Sequence, residues 1–172
     1  MAFTVEDGTG VAGANAYITV AFLRAYFSER GITFAESDSA IQPWIVQATD
    51  YIELTFGSRL VGAPLTATQG LHFPVSDGVT RQGVVIAEDE IPLSLQRACA
   101  EYGKRAKTNS LLPDPDVDAN GLVRVTTKEK VGEIEVEYEK GKLQSSYTMS
   151  RFPNIDFRML DLLRPVSAGV IR

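Results

Sequence analysis

The chain has 172 residues, of which 17 are Lys or Arg, 22 are Asp or Glu and one is His, for a formal net charge of −5. This length predicts one domain, and 44% hydrophobic with 23% charged residues is the composition of an ordinary globular protein. The single Cys and single His exclude an internal disulfide and any metal cage built from Cys or several His residues. The acidic balance disfavours a protein that grips duplex DNA, although a local basic stripe would escape a global average.

The chain carries no recognisable membrane or export signal. Its apolar runs are shorter than the roughly 18 residues that a transmembrane helix needs. The N-terminus, Met-Ala-Phe-Thr-Val-Glu-Asp, has neither the basic nor the apolar region of a secretory signal. We therefore expect a protein of a reducing compartment with no membrane segment.

The N-terminal part of the chain predicts a glycine-rich arm followed by a helix. The string Gly8-x-Gly10-x-x-Gly13 matches the dinucleotide-binding motif, but no strand and helix frame it. We therefore interpret it as a flexible arm or loop. Thr19 is a plausible N-cap, and Gly31 is a plausible C-terminal stop, for a first helix with apolar residues at helical spacing.

A second helix is predicted before a long irregular stretch. Pro43 is tolerated in the first turn of a helix, so the regular helix should start within Ser39–Gln42. An apolar stripe of period 3.6, which includes Trp44 as a core residue, continues to a stop at Gly57.

The stretch 58–90 is rich in Gly and Pro, and its strand candidates are 71–74 and 84–86. A third helix should follow, with Asp89–Glu90 at its start and Pro92 near its first position. One face of this helix is apolar and is lined by Leu95, Ala98, Cys99, Tyr102 and Ala106.

Beyond a linker at 113–121 the hydrophobic period changes from 3.6 to 2, which predicts a β-hairpin. We place its turn at Lys130-Val131, because that register matches apolar with apolar and basic with acidic positions. The predicted pairs are Val125 with Val136, Val123 with Tyr138, Lys128 with Glu133 and Arg124 with Glu137. Asn154 is the N-cap candidate of a last helix that Pro165 ends.

The predicted fold class is mainly α (α+β): a small bundle of about four helices with a β-hairpin and a C-terminal helix and tail. Residues 1–112 would form the arm and the helical bundle. Residues 113–172 would form the hairpin, the last helix and the tail, within one integrated domain.

The sequence offers no catalytic set, so we predict no enzyme activity and no cofactor. Asp116, Asp118 and Asn120 match the first half of a calcium loop, but Thr127 stands where a bidentate Glu is needed. An Asx turn that enters the hairpin explains the same residues, so no metal site is predicted and the three remain a weak calcium candidate.

The other chemically notable residues have structural explanations. Cys99 lies on the apolar face of the third helix and predicts a small buried hydrophobe. His72 has no Ser, Cys or Asp at a catalytic spacing and is predicted to be structural or exposed. Lys104, Arg105 and Lys107 predict a solvated helix end, with phosphate contact as the alternative.

A series of short motifs, taken together and in order, resembles a known family. The motifs are Phe3–Gly10, Ala14–Ile18, Trp44, Ala48–Ile52, Phe56–Arg59, Pro64–Gln69, Phe73-Pro74, Ile91-Pro92, Ala98–Glu101, Lys130–Tyr138, Phe152–Asp156 and Leu162–Pro165. The series is similar to the head–tail connector (adaptor, or head-completion neck) proteins of tailed bacteriophages, which often carry a DnaT-like single-stranded-DNA-binding label.

This resemblance implies a structural neck protein of the virion that is assembled in the cytoplasm of a bacterial host. Such a protein would form a homo-oligomeric ring, commonly of twelve subunits, beneath the portal protein and above a further neck or tail protein. DNA would pass through its channel without specific binding. The implied portal- or partner-binding residues are Arg151, Phe152, Arg158, Leu160, Leu163, Arg164, Pro165, Ile171 and Arg172.

The alternative prediction is a single-stranded DNA-binding replication accessory, as the family label suggests. Such proteins combine a basic groove with aromatic platforms. In this sequence the basic residues are scattered along the chain and most helical aromatics fall on apolar stripes. For this reason the neck protein is the first prediction and the DNA-binding protein the second.

Overall fold

The structure, a computed structural model, describes residues 2–112, 123–131, 134–142 and 152–164, with the backbone alone for the second and third of these ranges. The chain divides into two compact units, Met1–Leu111 with Phe152–Arg172, and Leu112–Arg151. The predicted fold class, mainly α with a small β part, is confirmed.

Four α-helices and four short or medium strands make up the described residues. The helices are α1 (Val20–Ser28), α2 (Asp38–Phe56), α3 (Leu93–Ala106) and α4 (Pro153–Met159), and the strands are β1 (Ala63–Pro64), β2 (Val75–Ser76), β3 (Val123–Val131) and β4 (Ile134–Lys142). Each of the helices in these described ranges is too short or too polar to cross a lipid bilayer.

The starts of the first two helices follow from their caps. Thr19 is the N-cap of α1, as predicted, and its hydroxyl oxygen accepts the backbone N–H of Phe22 at 3.0 Å. Ser37 occupies the N-cap position of α2, which therefore begins at Asp38, one turn before Pro43. The prediction that Pro43 must lie in the first turn is wrong. The proline is exposed, and at an exposed position solvent can hydrogen-bond the carbonyl that a proline leaves without its helical partner.

The last two helices start beside prolines. Pro92 is the N-cap of α3 rather than its first residue, so Asp89–Glu90 precede the helix instead of lying in its first turn. In α4, Phe152 is the N-cap and Pro153 opens the helix, which corrects the predicted cap at Asn154. Proline suits this position because its fixed φ is helical and its missing N–H would have had no partner.

The core lies where α2, α3 and α4 meet, with α1 packed against α2 and α3. Tyr51 of α2 and Tyr102 of α3 are fully buried, and their ring centroids are 4.8 Å apart. Phe152 packs edge-on against both rings. An antiparallel bridge between Leu60 and Leu163, both buried, joins the C-terminal segment to the chain after α2. The unit is therefore held together across about a hundred residues of sequence.

The strands within the irregular stretch are shorter than predicted and partly displaced. β1 pairs antiparallel with β2, which directly follows the predicted candidate 71–74. The candidate 84–86 forms only an isolated bridge, between Val79 and Val85.

The hairpin of β3 and β4 is confirmed, but its predicted register is wrong. The innermost pair is Val131 with Ile134, so the turn falls beyond Lys130-Val131 and every partner moves by four residues. The observed pairs are Val123 with Lys142, Arg124 with Gly141, Val125 with Lys140 and Lys128 with Glu137. An even shift leaves each residue on the same face of the ribbon, so the alternating pattern is compatible with both registers.

Candidate functional site

The N-terminal segment is an ordered loop around a buried carboxylate, which corrects the prediction of a flexible arm. Glu6 is 3% exposed. Its Oε1 accepts the backbone N–H groups of Gly8 and Gly10 at 3.1 and 2.9 Å, and its Oε2 accepts that of Val11 at 2.9 Å. Gly8 and Gly10 adopt φ angles of 98° and 75°, which L side chains rarely adopt. The glycine string therefore shapes a structural loop.

The second cluster of polar groups is buried beneath this loop. Tyr17 donates its hydroxyl to Glu53, and burial, followed by the nearby Glu53 charge, raises the pKa of Tyr17 well above its usual range. The Cys99 thiol lies 3.7 Å from the Thr49 hydroxyl, and burial raises its pKa to about 12. Cys99 is buried as predicted, and its raised pKa disfavours the reactive thiolate.

His72 is half-buried beside this cluster. Its backbone N–H donates to Glu53 at 3.4 Å, and its ring Nε2 is 3.1 Å from the carbonyl oxygen of Val61. These contacts fix the loop that follows β1, which agrees with a structural role. Among the side chains of 2–112 and 152–164, no three His, Cys, Asp or Glu residues are grouped so as to hold a metal ion. The weak calcium candidates Asp116, Asp118 and Asn120 lie outside the described residues.

A third cluster, on the surface of α3 and its neighbours, is positively charged and mostly exposed, in contrast to the buried groups around Tyr17. We define the basic face by its five cationic residues, Arg30, Arg97, Lys104, Arg105 and Arg158. Arg97 and Arg105 are exposed on α3, and Lys104 beside Arg105 is half-buried. Arg30 follows α1 on one flank, and Arg158 comes from α4 on the other.

Aromatic rings and one carboxylate fix the centre of the basic face. The Arg30 guanidinium stacks 3.5 Å from the ring centroid of Tyr26, and the Lys104 ammonium is 5.4 Å from that of Phe27. The Tyr26 hydroxyl donates to Glu101 at 2.8 Å. Burial and then Glu101 raise the pKa of Tyr26, while the positive charges of Arg158 and Arg30 oppose the shift. Tyr26 therefore lies within the electrostatic reach of cations from two other segments.

Most of the charge on the basic face has no partner among the side chains of 2–112 and 152–164. Arg30 has one carboxylate within salt-bridge distance, Glu29 at 3.6 Å. Within the described part of the chain, no ion pair or hydrogen bond engages the side chains of Arg97, Arg105 or Arg158. These guanidinium groups are exposed and available to an external anion.

The three basic residues predicted to form a cluster at the end of α3 lie in two different environments. Lys104 and Arg105 belong to the basic face, whereas Lys107 pairs with Glu36. That hydrogen bond lowers the pKa of Glu36. The Lys107 ammonium also lies 5.7 Å from the ring centroid of Trp44, which is half-buried and not the fully enclosed core residue that we predicted.

The residues that the connector resemblance assigned to partner binding do not share one environment. Leu163 is buried, Phe152 and Leu160 are half-buried, and Arg158 and Arg164 are exposed. Arg164 donates from its side chain to a backbone carbonyl oxygen at 2.7 Å, so part of its hydrogen-bonding capacity is used internally. Arg158 belongs to the basic face. Outside the described residues lie Arg151, Pro165, Ile171 and Arg172.

The fold and its surfaces define a small, mainly α protein with a cationic patch supplied by three helical segments. A family model described as "Putative DnaT-like ssDNA binding protein" matches residues 1–170, so the chain belongs to this family. No curated protein and no solved structure matches the chain.

This family assignment corrects the first prediction. The matching family is the DnaT-like single-stranded-DNA-binding family and not a phage head–tail connector family, so the prediction of a neck adaptor is wrong. Several of the motifs on which the connector resemblance depends lie in the core of the protein. Phe73 and Ala98 are fully buried, and Leu60 and Leu163 join two segments of the core. Residues of this kind determine a fold and carry little information about a partner.

Proposed function

We propose that this chain is a single-stranded DNA-binding accessory protein and that DNA lies across the basic face. The observation that carries the proposal is the family match, which spans residues 1–170. The family description names single-stranded DNA as the ligand. The second prediction from the sequence, a replication accessory, names the same ligand and is the one that this match supports.

The chemistry of the basic face fits a phosphate backbone. Affinity for nucleic acid depends on Lys and Arg that neutralise phosphates and release counterions. Arg97, Arg105 and Arg158 meet this need because no carboxylate in the described residues neutralises them. Arginine also binds phosphate through two parallel N–H groups, which a solvated guanidinium leaves free.

The proposal concerns binding and includes no catalytic step. The groups that enzymes most often use, a thiol and an imidazole, are at Cys99 and His72. Cys99 is fully buried, and the ring of His72 is held at a backbone carbonyl oxygen. The basic face itself offers five cations and aromatic rings beside the carboxylates of Glu29 and Glu101, an excess of positive charge that suits the recognition of an anionic polymer.

Fluorescence anisotropy with a labelled oligo-dT tests the proposal directly. We expect binding at about 50 mM salt that weakens steeply at about 200 mM, with a slope of roughly −0.7 per phosphate contact on logarithmic axes. Failure to bind at the lower salt concentration would contradict the proposal.

A charge-neutralised variant locates the binding surface. The triple substitution Arg97→Gln, Arg105→Gln and Arg158→Gln should lower the magnitude of the salt slope by about 2, because three single-strand contacts are lost. Arg81→Gln is the matched control, since Arg81 is an exposed arginine of the 79–85 turn. If the triple variant and the control bind alike, the DNA lies elsewhere on the protein.

A further inference from the structure

Phe157 on α4 is a large aromatic residue that lies on the surface rather than in the core. Its side chain is 68% exposed, and it is the only aromatic among the exposed large apolar side chains of the described residues. The other residues of this exposed set are aliphatic, and Leu54 on α2 matches Phe157 closely at 69%. A single exposed apolar residue is common in proteins, so its surroundings must decide whether it has a role.

The position of Phe157 on the helix directs its ring away from the core. Ile155 and Met159 are the buried residues of α4, and Phe157 lies midway between them in sequence, on the opposite side of the helix. No aromatic or cation–π contact within the described residues involves its ring. Most of the phenyl group is therefore accessible to a flat ligand.

Phe157 is adjacent in sequence to one cation of the basic face. The next residue is Arg158, which belongs to the basic face and acts electrostatically on Tyr26 of α1. Asp156, on its other side, is engaged by the Tyr102 hydroxyl at 2.6 Å, and this contact holds α4 against α3. The ring thus lies on a helix whose position is fixed, at the edge of a surface where Arg97, Arg105 and Arg158 have no ion-pair partner among the described residues.

We propose that Phe157 is a stacking platform for an unpaired nucleobase of a strand whose phosphates contact the basic face. Sequence-independent recognition of single strands pairs a cationic track with aromatic rings on which bases stack. The inference rests on the proposed function and adds a base-binding subsite to it. Because a base in a duplex is already stacked between its neighbours, this subsite favours single strands over duplex DNA.

The test compares a strand with bases and a strand without them. Labelled dT12 and an abasic strand of the same length are titrated with the full chain, its Phe157→Ala variant and a Leu54→Ala control. Alanine substitution at a stacking residue should weaken binding of dT12 by about 5- to 100-fold. The abasic strand should bind the wild-type and Phe157→Ala proteins equally, and Leu54→Ala should change neither affinity.

The other outcomes distinguish a failure of the proposed function from a failure of the base-binding subsite. If wild-type protein binds neither strand at low salt, the proposed function fails and the subsite with it. If wild-type protein binds dT12 and Phe157→Ala binds it as tightly, the subsite fails and the proposed function stands. Equal weakening for both strands would mean that Phe157 acts by some means other than stacking, and a change in sedimentation mass with unchanged affinity would place it in a contact between copies of the chain. Both results overturn the stacking role.

Discussion

The loop around Glu6 and the basic face differ in whether their charged side chains have partners among the described residues. Three backbone N–H groups satisfy the Glu6 carboxylate, which is almost fully buried. Arg97 and Arg105, on the basic face, are exposed and lack a carboxylate partner among the described residues. A charge satisfied internally stabilises the fold, whereas a charge left to solvent is free to bind a ligand.

The two regions also differ in the sign of their surface potential. An open groove of about 500 Å³ beside the Glu6 loop is lined by Asp7, Asp89 and Glu90, among others. Its carboxylates repel phosphate, so DNA should avoid this groove and settle on the basic face. The net charge of −5 is the sum of both surfaces and conceals the difference between them.

The largest expected effect comes from removing the charge at the centre of the loop. Glu6→Ala leaves three backbone N–H groups without their acceptor in a buried site, so we expect a loss of about 3–5 kcal/mol in the free energy of unfolding. Urea denaturation followed by circular dichroism measures this loss. Glu88→Gln, at an exposed acid nearby, is the control and should change stability by less than about 0.5 kcal/mol. Equal stabilities of the two variants would mean that the loop does not depend on Glu6.

The glycines of the loop give a second, smaller contrast. A Cβ atom at Gly8 would overlap the backbone carbonyl of Asp89, whereas one at Gly13 would meet nothing within 4 Å. Both residues have positive φ angles, 98° and 75°, so both substitutions by alanine introduce backbone strain. We expect Gly8→Ala to cost about 2–4 kcal/mol and Gly13→Ala about 1 kcal/mol. The thermal unfolding midpoints should fall in that order, and the reverse order would contradict the packing of the loop on the segment before α3.

Alkaline pH should lower the free energy of unfolding through the buried thiol of Cys99. The Cys99 thiol titrates near 9.0 when unfolded, and burial raises its pKa to about 12 in the folded chain. The folded chain holds this proton to higher pH, so its stabilising contribution is complete below about pH 9 and is lost as the pH rises towards 12. We expect a loss of about 1 kcal/mol between pH 9 and 10, measured by urea unfolding at each pH. Cys99→Ala should remove this part of the dependence and leave the smaller part that Tyr17 and Tyr26 contribute, because their pKa values are also raised in the folded chain. An unchanged slope in that variant would assign the whole dependence to other groups.

The local elements of this fold were predictable from the sequence because short-range rules determine them. Thr19 caps α1 as its residue type predicts, and the apolar face of α3 places Cys99 in the core. The hairpin register was not predictable in the same way, because two registers that differ by four residues are equally compatible with an alternating sequence. The alternation at Val125 and its neighbours therefore predicts the two strands but not the position of the turn between them.

The basic face escaped prediction because it is assembled from distant parts of the chain. Arg30 and Arg158 are separated by 128 positions (158 minus 30) and come together only through the packing of α1 and α4 on α3. Basic residues scattered along a sequence argue against a nucleic-acid site, yet the fold brings five of them to one region. Neighbouring Lys107, which looked equivalent to Lys104 in the sequence, is neutralised by Glu36. Spacing along one helix could not reveal that partner.

The smallest expected effect comes from removing a single cation of the basic face. This substitution distinguishes the two regions because it should change DNA affinity and leave stability unchanged. Arg158→Gln should lower oligo-dT affinity by about two- to fivefold and reduce the magnitude of the salt slope by about 0.7, because one phosphate contact is lost. Its stability should remain within about 0.5 kcal/mol of wild type, since Arg158 is exposed and forms no ion pair in the described residues. Paired measurements of anisotropy and urea unfolding on the same preparation, with Arg81→Gln alongside, test both halves of this expectation. A loss of stability equal to that of the Glu6 variant would instead give Arg158 a structural role, because only an internal partner makes the removal of an exposed charge that costly.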